Sequence, residues 1–299
     1  MTGSVLECVP NVSEGRDTTV IETLGRAVQA TAARLLDVHR DSDHHRSVFT
    51  FLGPMAAVEA GAVALTRAAV RLVDLTRHRG VHPRVGAVDV IPFVPLRGAS
   101  MADAVAAAHR VGRTVAAECG LPVFFYGEAS RGALPRELPA LRRGGLEGLA
   151  GRLSDPAWRP DEGPALPHPT AGVTAIGARG PLIAFNAVLD TAEVEAAHAI
   201  ARALRESSGG LPAVRAIGVM LESRRAAQVS MNLLDYRRTA ARLVARRLED
   251  EAQRHGARIV EYELVGCAPA DALSDWPHDL AAIAGLKASQ LLDPALFAR

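Results

Sequence analysis

The sequence predicts an α+β protein made of two ferredoxin-like (split βαβ) subdomains, each a sheet with helices packed on one face. Three observations lead to this prediction. A chain of 299 residues is long enough to form two hydrophobic cores. Short apolar runs typical of strands alternate with segments of helical periodicity, and each half of the chain follows the order βαββαβ. A stretch rich in Pro and Gly, residues 127–172, separates the two sets.

The elements of the first half follow one another with short turns. Val5–Val9 is an apolar run that stops at Pro10, as a strand would. The clearest helix has apolar residues at steps of three and four, which lay one stripe from Met55 to Leu72. The remaining predicted elements are a helix at Thr18–Ala33, strands at Leu35–Val38, Ser47–Leu52 and Val88–Val94, a helix at Met101–Cys119 and a strand at Pro122–Tyr126.

The second half repeats the pattern after a long connection. Residues 127–172 carry one helical piece near Leu138–Leu153, and a connection this long in a compact protein is usually functional. Asp190, with Glu193 three residues later, is predicted to cap the next helix. The predicted elements are a strand at Leu182–Leu189, a helix from Val194 to Leu204, strands at Val214–Leu221 and Gln228–Leu234, a helix at Thr239–His255 and a strand at Ile259–Val265. We therefore expect residues 1–180 and 181–299 to form the two subdomains.

Composition and charge argue against several classes of protein. With 34 basic and 33 acidic residues, the net charge of +1 gives no electrostatic footprint for nucleic acid or for a membrane surface. The apolar stretch Ala56–Val73 contains Glu59, Arg67 and Arg71, so it predicts a packed helix and not a membrane span. The chain begins without an apolar signal core, and its three cysteines are widely spaced. Together these features predict a cytoplasmic protein.

The most unusual segment is the basic loop, residues 77–86, which holds two histidines and three arginines just before a predicted strand. Such a loop could surround an active site. By itself, however, it is more typical of a solvated charged loop. The spacing of His78 and His82 would suit a metal pair on a helix, but Gly80 and Pro83 argue against a continuous helix there.

A second polar cluster, residues 37–45, alternates acids and imidazoles from Asp37 to His45. Carboxylate and imidazole ligands this close could serve zinc, iron or manganese, as in a metallohydrolase. The later elements that such an enzyme needs are missing, so we favour hydrogen-bonding turn residues beside a pocket and predict no metal. Phosphate-binding loops, dinucleotide fingerprints and serine-hydrolase elbows are also missing, so nucleotide-dependent and serine-hydrolase chemistry have no support.

Eight segments together resemble a known family, and they occur in the family's order over nearly the whole chain. These segments are Glu7–Gly15, His45–Phe51, His82–Val90, Phe125–Ala129, Asp161–Pro164, Gly177–Arg179, Leu182–Asn186 and Gln228–Leu233. The chain resembles the formimidoyltransferase family, which comprises a domain of formimidoyltransferase-cyclodeaminase and stand-alone bacterial glutamate formimidoyltransferases. The resemblance implies two ferredoxin-like subdomains with a ligand tunnel between them, commonly in a homodimer.

The resemblance also implies a reaction and its residues. The formimidoyl group of N-formimidoyl-L-glutamate would pass to N5 of tetrahydrofolate, a step of histidine degradation and one-carbon metabolism. His82 of the His-Pro-Arg motif would be the catalytic acid/base, since an imidazole with a pKa near 6.5 can both take and return a proton. The folate-binding stretch would comprise Gly163, Pro164, Ala165, Leu166, Pro167, His168, Pro169, Thr170, Ala171 and Gly172.

Both substrates carry carboxylates, which a guanidinium can bind with two parallel hydrogen bonds. The candidates, chosen by their position in the motifs, are Arg84, Arg46, Arg79 and Arg179. The chain departs from the family at His39, where the vertebrate form has an acid, and at Val188, which replaces an Asn. A cyclodeaminase domain is not expected here, so a separate enzyme would use the product. The alternatives are a 5-formyltetrahydrofolate:glutamate formyltransferase, a transferase acting on another amine, and a non-catalytic folate-binding protein.

Overall fold

The computed structural model describes residues 3–81, 83–132 and 136–297 of the protein. The chain divides into two compact units, the first ending at Arg179 and the second running from Gly180 to Phe297. Each unit has its own main sheet and its own buried core. The predicted α+β class is confirmed.

The first unit is built on a sheet of seven strands. Its elements in chain order are β1 (Val5–Cys8), β2 (Asn11–Val12), α1 (Thr18–Gln29), β3 (Arg34–Asp41), β4 (Arg46–Pro54), α2 (Met55–Leu72), β5 (Val88–Pro95), α3 (Met101–Cys119), β6 (Val123–Gly127), α4 (Leu138–Arg142), α5 (Leu149–Leu153) and β7 (Thr174–Ala178). The strands lie in the order β3, β4, β1, β5, β7 and β6. The short strand β2, like β1, pairs with both β4 and β5. β5, β7 and β6 are parallel, and the other pairs are antiparallel.

The long helices start and stop where their sequences supply caps. The Asp17 side chain accepts hydrogen bonds from the first turn of α1. Ser100 and Asp103 form a reciprocal capping box at the start of α3, and Gly120 ends that helix in the left-handed conformation. α1 ends at Gln29, four residues before the predicted end at Ala33.

The three long helices pack on one face of the sheet. Their apolar stripes cover strand residues such as Phe49, Phe93 and Phe125, which are fully buried. Because successive strand residues point to opposite faces, Phe124 lies on the other side, where it packs with Leu153 of α5. The short helices of the connection therefore add a second layer over β5, β7 and β6, which the sequence prediction did not include.

Between Leu138 and Leu153, where a single helical piece was predicted, the structure has the two short helices α4 and α5. Gly144 and Gly145 both have positive φ angles, of 77° and 59°, and interrupt the helix between α4 and α5. The sequence prediction also missed β7. This strand is short and contains Gly177, and it is held between two parallel neighbours deep in the sheet.

The second unit has a sheet of four antiparallel strands with two helices on one face. Its elements are β8 (Ile183–Leu189), α6 (Val194–Leu204), β9 (Val214–Leu221), β10 (Ala226–Leu233), α7 (Ala241–Arg254), β11 (Ile259–Val265) and the short parallel pair β12 (Ala268–Pro269) and β13 (Leu291–Leu292). The order in the main sheet is β11, β8, β10 and β9. Gly218 allows α6 to approach β9, since a Cβ there would lie 2.5 Å from the His198 backbone nitrogen.

One capping prediction was wrong. The N-cap of α6 is Glu193, without a side-chain cap, and the Asp190 carboxylate instead accepts hydrogen bonds from the backbone and side chain of Arg258 at 2.7 and 2.9 Å. Asp190 therefore joins the end of β8 to the start of β11. Among the described residues, none of the helices is both long and apolar enough to span a bilayer.

Candidate active site

The two polar clusters noted in the sequence contact each other in the first unit. The Nε2 atom of His78 lies 2.8 Å from the backbone carbonyl of His45, and the centroids of the two imidazole rings are 4.2 Å apart in an edge-to-face arrangement. Because a carbonyl only accepts, the proton of a neutral His78 ring must be on Nε2. The contact fixes the tautomer of His78 and joins the basic loop to the turn that follows β3.

Close backbone packing reinforces this contact. The backbone N–H of Val81 donates to the carbonyl of Asp43 at 3.2 Å. A Cβ on Gly80 would lie only 2.5 Å from the carbonyl oxygen of His44, so the glycine is needed for this approach. The Asp41 carboxylate accepts from the backbone of Asp43 and His44, both at 2.8 Å, and holds the turn in shape.

His82, the predicted catalytic residue, lies outside the described residues. Its described neighbours in the chain are Val81 and Pro83. Three backbone hydrogen bonds join the loop and the residues that flank it to the last residues of the predicted folate stretch and to Val173. The bonds run from Leu75 N to Thr170 O at 2.8 Å, from Ala87 N to Ala171 O at 2.9 Å and from Val173 N to Val85 O at 3.0 Å.

The predicted folate stretch thus ends beside the loop that carries His82. Its last residues form a tight turn in which His168 and Gly172 exchange backbone hydrogen bonds at 2.8 and 3.0 Å. The Nδ1 atom of His168 accepts from the backbone of Thr170 and Ala171 at 3.3 and 3.1 Å. Earlier in the stretch, Leu166 is 72% exposed. Two segments 80 or more residues apart in sequence therefore meet at one end of the sheet.

Three of the four candidate arginines belong to this end of the sheet. Arg84 donates to the carbonyl of His78 at 3.2 Å and to the Glu147 carboxylate at 3.3 Å. Arg79 donates to the same carbonyl at 2.8 Å. Arg46 begins β4 opposite Asp41.

Arg179 lies at the other end of the sheet, because it follows the last residue of β7. Its backbone N–H donates to the carbonyl of Phe93 at 3.1 Å. Phe93 is five residues beyond Val88, the first residue of β5, which corresponds to about 16 Å along the strand. The structure thus separates Arg179 from the other three arginines.

Burial makes the histidines at this site weak bases. It lowers the pKa of His78 from 6.5 to about 4, although the hydrogen bond to the His45 carbonyl opposes the shift. Burial also lowers the pKa of His45, against the opposing effect of the Glu14 carboxylate, whose Oε1 lies 3.7 Å from the ring. His45 has a positive φ of 50°, a conformation that is uncommon for residues other than glycine. His78 is therefore neutral at pH 7.

A further polar group lies on the sheet face opposite the long helices, and only its arginine was a candidate from the sequence. It comprises Glu7 on β1, Tyr126 on β6 and Arg179. Burial raises the pKa of the Glu7 carboxyl from 4.5 to about 7, even though Arg179 acts to lower it. The available signal was a carboxylate in the middle of an otherwise apolar four-residue strand.

The described residues give no support for a metal centre. Within the ranges that the structure describes, no group of three His, Cys, Asp or Glu side chains could hold a metal ion. Asp37, His39 and Asp41 lie on β3 itself, whereas Asp43, His44 and His45 belong to the turn that follows. The absence of a metal from the mechanism stays a prediction.

Two family models and several named proteins match the chain over most of its length. The model of the formiminotransferase domain, N-terminal subdomain, matches residues 5–179, and that of the formiminotransferase domain matches residues 184–278. Glutamate formimidoyltransferase of Streptococcus pyogenes serotype M1 is 40% identical over 91% of this chain and 91% of its own length. Glutamate formimidoyltransferase of Thermoplasma acidophilum is 39% identical over 91% of this chain and 90% of its own length.

A fused relative shows the same similarity over part of its length. Formimidoyltransferase-cyclodeaminase of Sus scrofa is 44% identical over 91% of this chain but only 51% of its own length. This chain thus spans about half the length of that relative.

Proposed function

Because the chain belongs to the formiminotransferase domain family, we propose that it transfers the formimidoyl group of N-formimidoyl-L-glutamate to N5 of tetrahydrofolate. The products are 5-formimidoyltetrahydrofolate and L-glutamate. Its identity of about 40% to two glutamate formimidoyltransferases, over nine-tenths of each chain, makes it an enzyme of the transferase class. The reaction would serve histidine degradation and one-carbon metabolism.

The proposed mechanism needs one group that both accepts and returns a proton. N5 of tetrahydrofolate attacks the formimidoyl carbon and loses its proton, and the bond from that carbon to the glutamate nitrogen breaks. The leaving nitrogen must gain a proton to depart as an amine. We assign both transfers to His82, since a neutral imidazole can take the proton from N5 and its protonated form can deliver it to the leaving nitrogen.

One observation supports this assignment more than any other. Leu75 and Ala87, which flank the loop that carries His82, donate backbone hydrogen bonds to Thr170 and Ala171 near the end of the proposed folate stretch, Gly163–Gly172. Folate bound along that stretch would have this loop beside it. Holding two substrates at a positioned acid/base is a large source of rate enhancement in group transfer.

The carboxylates of the substrates need cationic partners, and Arg46, Arg79, Arg84 and Arg179 are our candidates. Arg84 and Arg79 support the loop through the carbonyl of His78, which suits a role near the reacting atoms. Arg179 would act farther away. Tetrahydrofolate is a co-substrate in this scheme, and no metal takes part.

We infer that the two units are ferredoxin-like subdomains, with the boundary near residue 180. In each βαββαβ set the first and third strands are neighbours in the middle of the four, as the orders β3, β4, β1, β5 and β11, β8, β10, β9 indicate. The same proposal includes the ligand tunnel implied by the family and a cytoplasmic location. It also includes a homodimer and a separate cyclodeaminase that uses the product.

The test is a transfer assay that follows both products by chromatography, with formimidoylglutamate, formylglutamate and several amines as alternative substrates. We expect formimidoylglutamate to be the preferred donor. In the His82→Gln variant, turnover should fall about 100-fold or more while folate affinity is kept. Negligible turnover of formimidoylglutamate beside rapid turnover of another substrate would replace the assignment with a neighbouring specificity. Folate binding with no transfer by the unmodified protein would make it a folate-binding protein without catalysis.

A further inference from the structure

His78 has no part in the proton transfer proposed above, although it belongs to the same loop as His82. Its side chain is enclosed by the protein, with only 3% of the residue exposed. A polar side chain in such a place needs partners, because a buried polar group without one lowers the stability of the fold. The hydrogen bonds of His78 therefore indicate its role.

The side chain of His78 fastens the basic loop to the turn that follows β3. Its Nε2 atom donates to the His45 carbonyl at 2.8 Å, and the two rings are in edge-to-face contact. The other ring nitrogen, Nδ1, is buried and has no hydrogen-bond partner among the residues that the structure describes. A phenylalanine would fill the same space without a buried, unpaired nitrogen. What the histidine adds to packing is therefore the one hydrogen bond that it donates.

The backbone of His78 holds two of the candidate arginines. Its carbonyl accepts from Nη1 of Arg79 at 2.8 Å and from Nη2 of Arg84 at 3.2 Å. A carbonyl oxygen has two lone pairs and can accept both hydrogen bonds at once. The orientation of both guanidinium groups thus depends on the position of the His78 main chain, which the bond to His45 helps to fix.

The chain is also held on both sides of His82. Val81, just before it, donates its backbone N–H to the carbonyl of Asp43 at 3.2 Å. Arg84, two residues after it, is bonded to the His78 carbonyl. Each side of His82 is thus tied to the contact between the basic loop and the turn that follows β3.

The loop approaches this turn so closely because residue 80 is a glycine. A Cβ on Gly80 would lie 2.5 Å from the carbonyl oxygen of His44 and 2.6 Å from the Cβ of His45. A side chain at this position would therefore push the loop and the turn apart. The hydrogen bond of His78 and the missing side chain of Gly80 support the same contact, which gives two independent ways to disturb it.

We propose that His78 is a positioning residue of the transferase, whose hydrogen bond to the His45 carbonyl holds the basic loop where His82 reaches the reacting nitrogens. This inference rests on the proposed function, which assigns the proton transfers to His82. His78 itself neither touches a substrate nor carries a proton in this scheme. A shift of about 1 Å in the loop would slow the transfer about 100-fold. The folate stretch is bonded to Leu75 and Ala87, outside the loop, so folate affinity should change little.

The test compares two variants of His78. His78→Phe keeps a flat ring and removes the donor, whereas His78→Gln keeps an N–H donor at a similar distance from the main chain. The transfer assay gives kcat and KM for each variant, and calorimetric titration gives the affinity for folic acid. We expect His78→Phe to lower kcat about 10- to 100-fold with folic acid affinity kept, and His78→Gln to recover most of that loss.

His109 provides a matched control in the same unit. It lies on α3, its Nε2 atom also donates to a backbone carbonyl, that of Ala129 at 2.9 Å, and its ring is in edge-to-face contact with Phe125. His109→Phe therefore removes the same type of hydrogen bond away from the loop. It should leave kcat unchanged, even where it lowers the free energy of unfolding as much as His78→Phe does.

Gly80→Ala disturbs the same contact without changing His78. It should lower kcat with folic acid affinity kept, as His78→Phe does. The double variant should be no slower than the slower of the two single variants, because effects that act through one contact do not add. If His78→Phe fails to fold, Gly80→Ala gives the same comparison.

Trypsin gives a readout that does not depend on activity. Arg77 and Arg79 lie on either side of His78, and trypsin cleaves after arginine. A loop released from the turn is more open to a protease. Cleavage at these two sites, identified by the masses of the fragments, should be faster in His78→Phe than in the unmodified protein or in His109→Phe.

Two results would overturn the inference: a kcat of His78→Phe equal to that of His109→Phe, or cleavage of the loop in His78→Phe no faster than in the unmodified protein. The proposed function fails separately, if the unmodified protein forms no 5-formimidoyltetrahydrofolate. The trypsin comparison then still decides whether the bond to His45 holds the loop.

Discussion

Gly86 and Gly172 form an antiparallel bridge between the basic loop and the end of the proposed folate stretch. A Cβ on Gly86 would lie 1.9 Å from the carbonyl oxygen of Val173, and a Cβ on Gly172 would lie 2.2 Å from that of Val85. Gly172 also has a positive φ of 66°. Neither position has room for any other residue, because backbone atoms block both Cβ directions.

We expect Gly86→Ala and Gly172→Ala to force these two segments apart. Each should destabilise the protein by roughly 1–3 kcal/mol, the usual scale for backbone strain. Each should also reduce turnover about 100-fold, since a shift of about 1 Å at a group-transfer site has effects of that size. Chemical denaturation and the transfer assay measure the two effects. Gly151→Ala, in α5 with nothing within 4 Å of its Cβ, is the matched control. Full activity in both bridge variants would contradict the importance of this contact.

Glu7→Gln should change how stability depends on pH. The folded-state pKa of Glu7 is raised from 4.5 to about 7, so the folded protein binds this proton more tightly than the unfolded chain does. The proton on Glu7 therefore stabilises the folded state. This stabilisation is fully present below pH 4.5 and is lost as the pH rises to about 7. It amounts to about 3 kcal/mol. Relative to the unmodified protein, Glu7→Gln should gain stability by about that amount between pH 4.5 and 7.5, as measured by urea unfolding. A pH-independent difference for Glu7→Gln would argue against a raised pKa.

His78→Gln should show the opposite trend. The folded-state pKa of His78 is lowered from 6.5 to about 4, so its contribution to stability is present above pH 6.5 and is lost as the pH falls through about 4. The variant should therefore gain about 3 kcal/mol relative to the unmodified protein between pH 6.5 and 4. The same unfolding series measures it, with the exposed His255→Gln as control. In the unmodified protein the pH trends contributed by Glu7 and His78 are opposite and largely cancel. If the free energy of unfolding of His78→Gln depended on pH in the same way as that of the unmodified protein, this account would be contradicted.

Asp89→Asn should be among the more destabilising conservative substitutions in the first unit. Asp89 is 2% exposed, and its carboxylate accepts from the backbone of Val85 at 2.7 Å and from two nitrogens of Arg142 at 2.8 and 2.5 Å. The substitution leaves the arginine half-buried without its counter-charge, which costs roughly 3–5 kcal/mol. Adding Arg142→Met should recover much of the loss, because the unpaired charge is removed. A double variant no more stable than Asp89→Asn would show that the ion pair is not the cause.

The sequence predicted the elements whose patterns are local. The helix at Met55–Leu72 was predicted with the bounds that the structure has, because its apolar stripe is complete. The strand Val214–Leu221 was likewise confirmed. β7 was missed because a five-residue strand with a glycine, held by parallel neighbours on both sides, has no periodic signal of its own. Asp190 was misassigned because its partner, Arg258, is 68 residues away in the chain.

The candidate site depends on long-range contacts in the same way. The motifs in the sequence identified the basic loop and residues 163–172 separately, and only the sheet brings their ends together. The pairing of His78 with His45 spans 33 residues and has no local signature. Arg179 was grouped with three other arginines by motif, whereas the parallel strand β7 carries it to the other end of β5. Local patterns could not give these positions, because strand order is set by the packing of the whole unit.

The burial of the three cysteines leaves each unit with one thiol that reagents can reach. Cys8 is buried in the core with a strongly raised pKa, whereas Cys119 and Cys267 are partly accessible. Maleimide dyes react with accessible thiols and spare buried ones. A mixture of donor and acceptor fluorophores would therefore label α3 of the first unit and the position just before β12 in the second unit, and a fraction of the molecules would carry one dye of each kind. Energy transfer between them would then follow, in solution, any movement of one unit against the other as ligands are added.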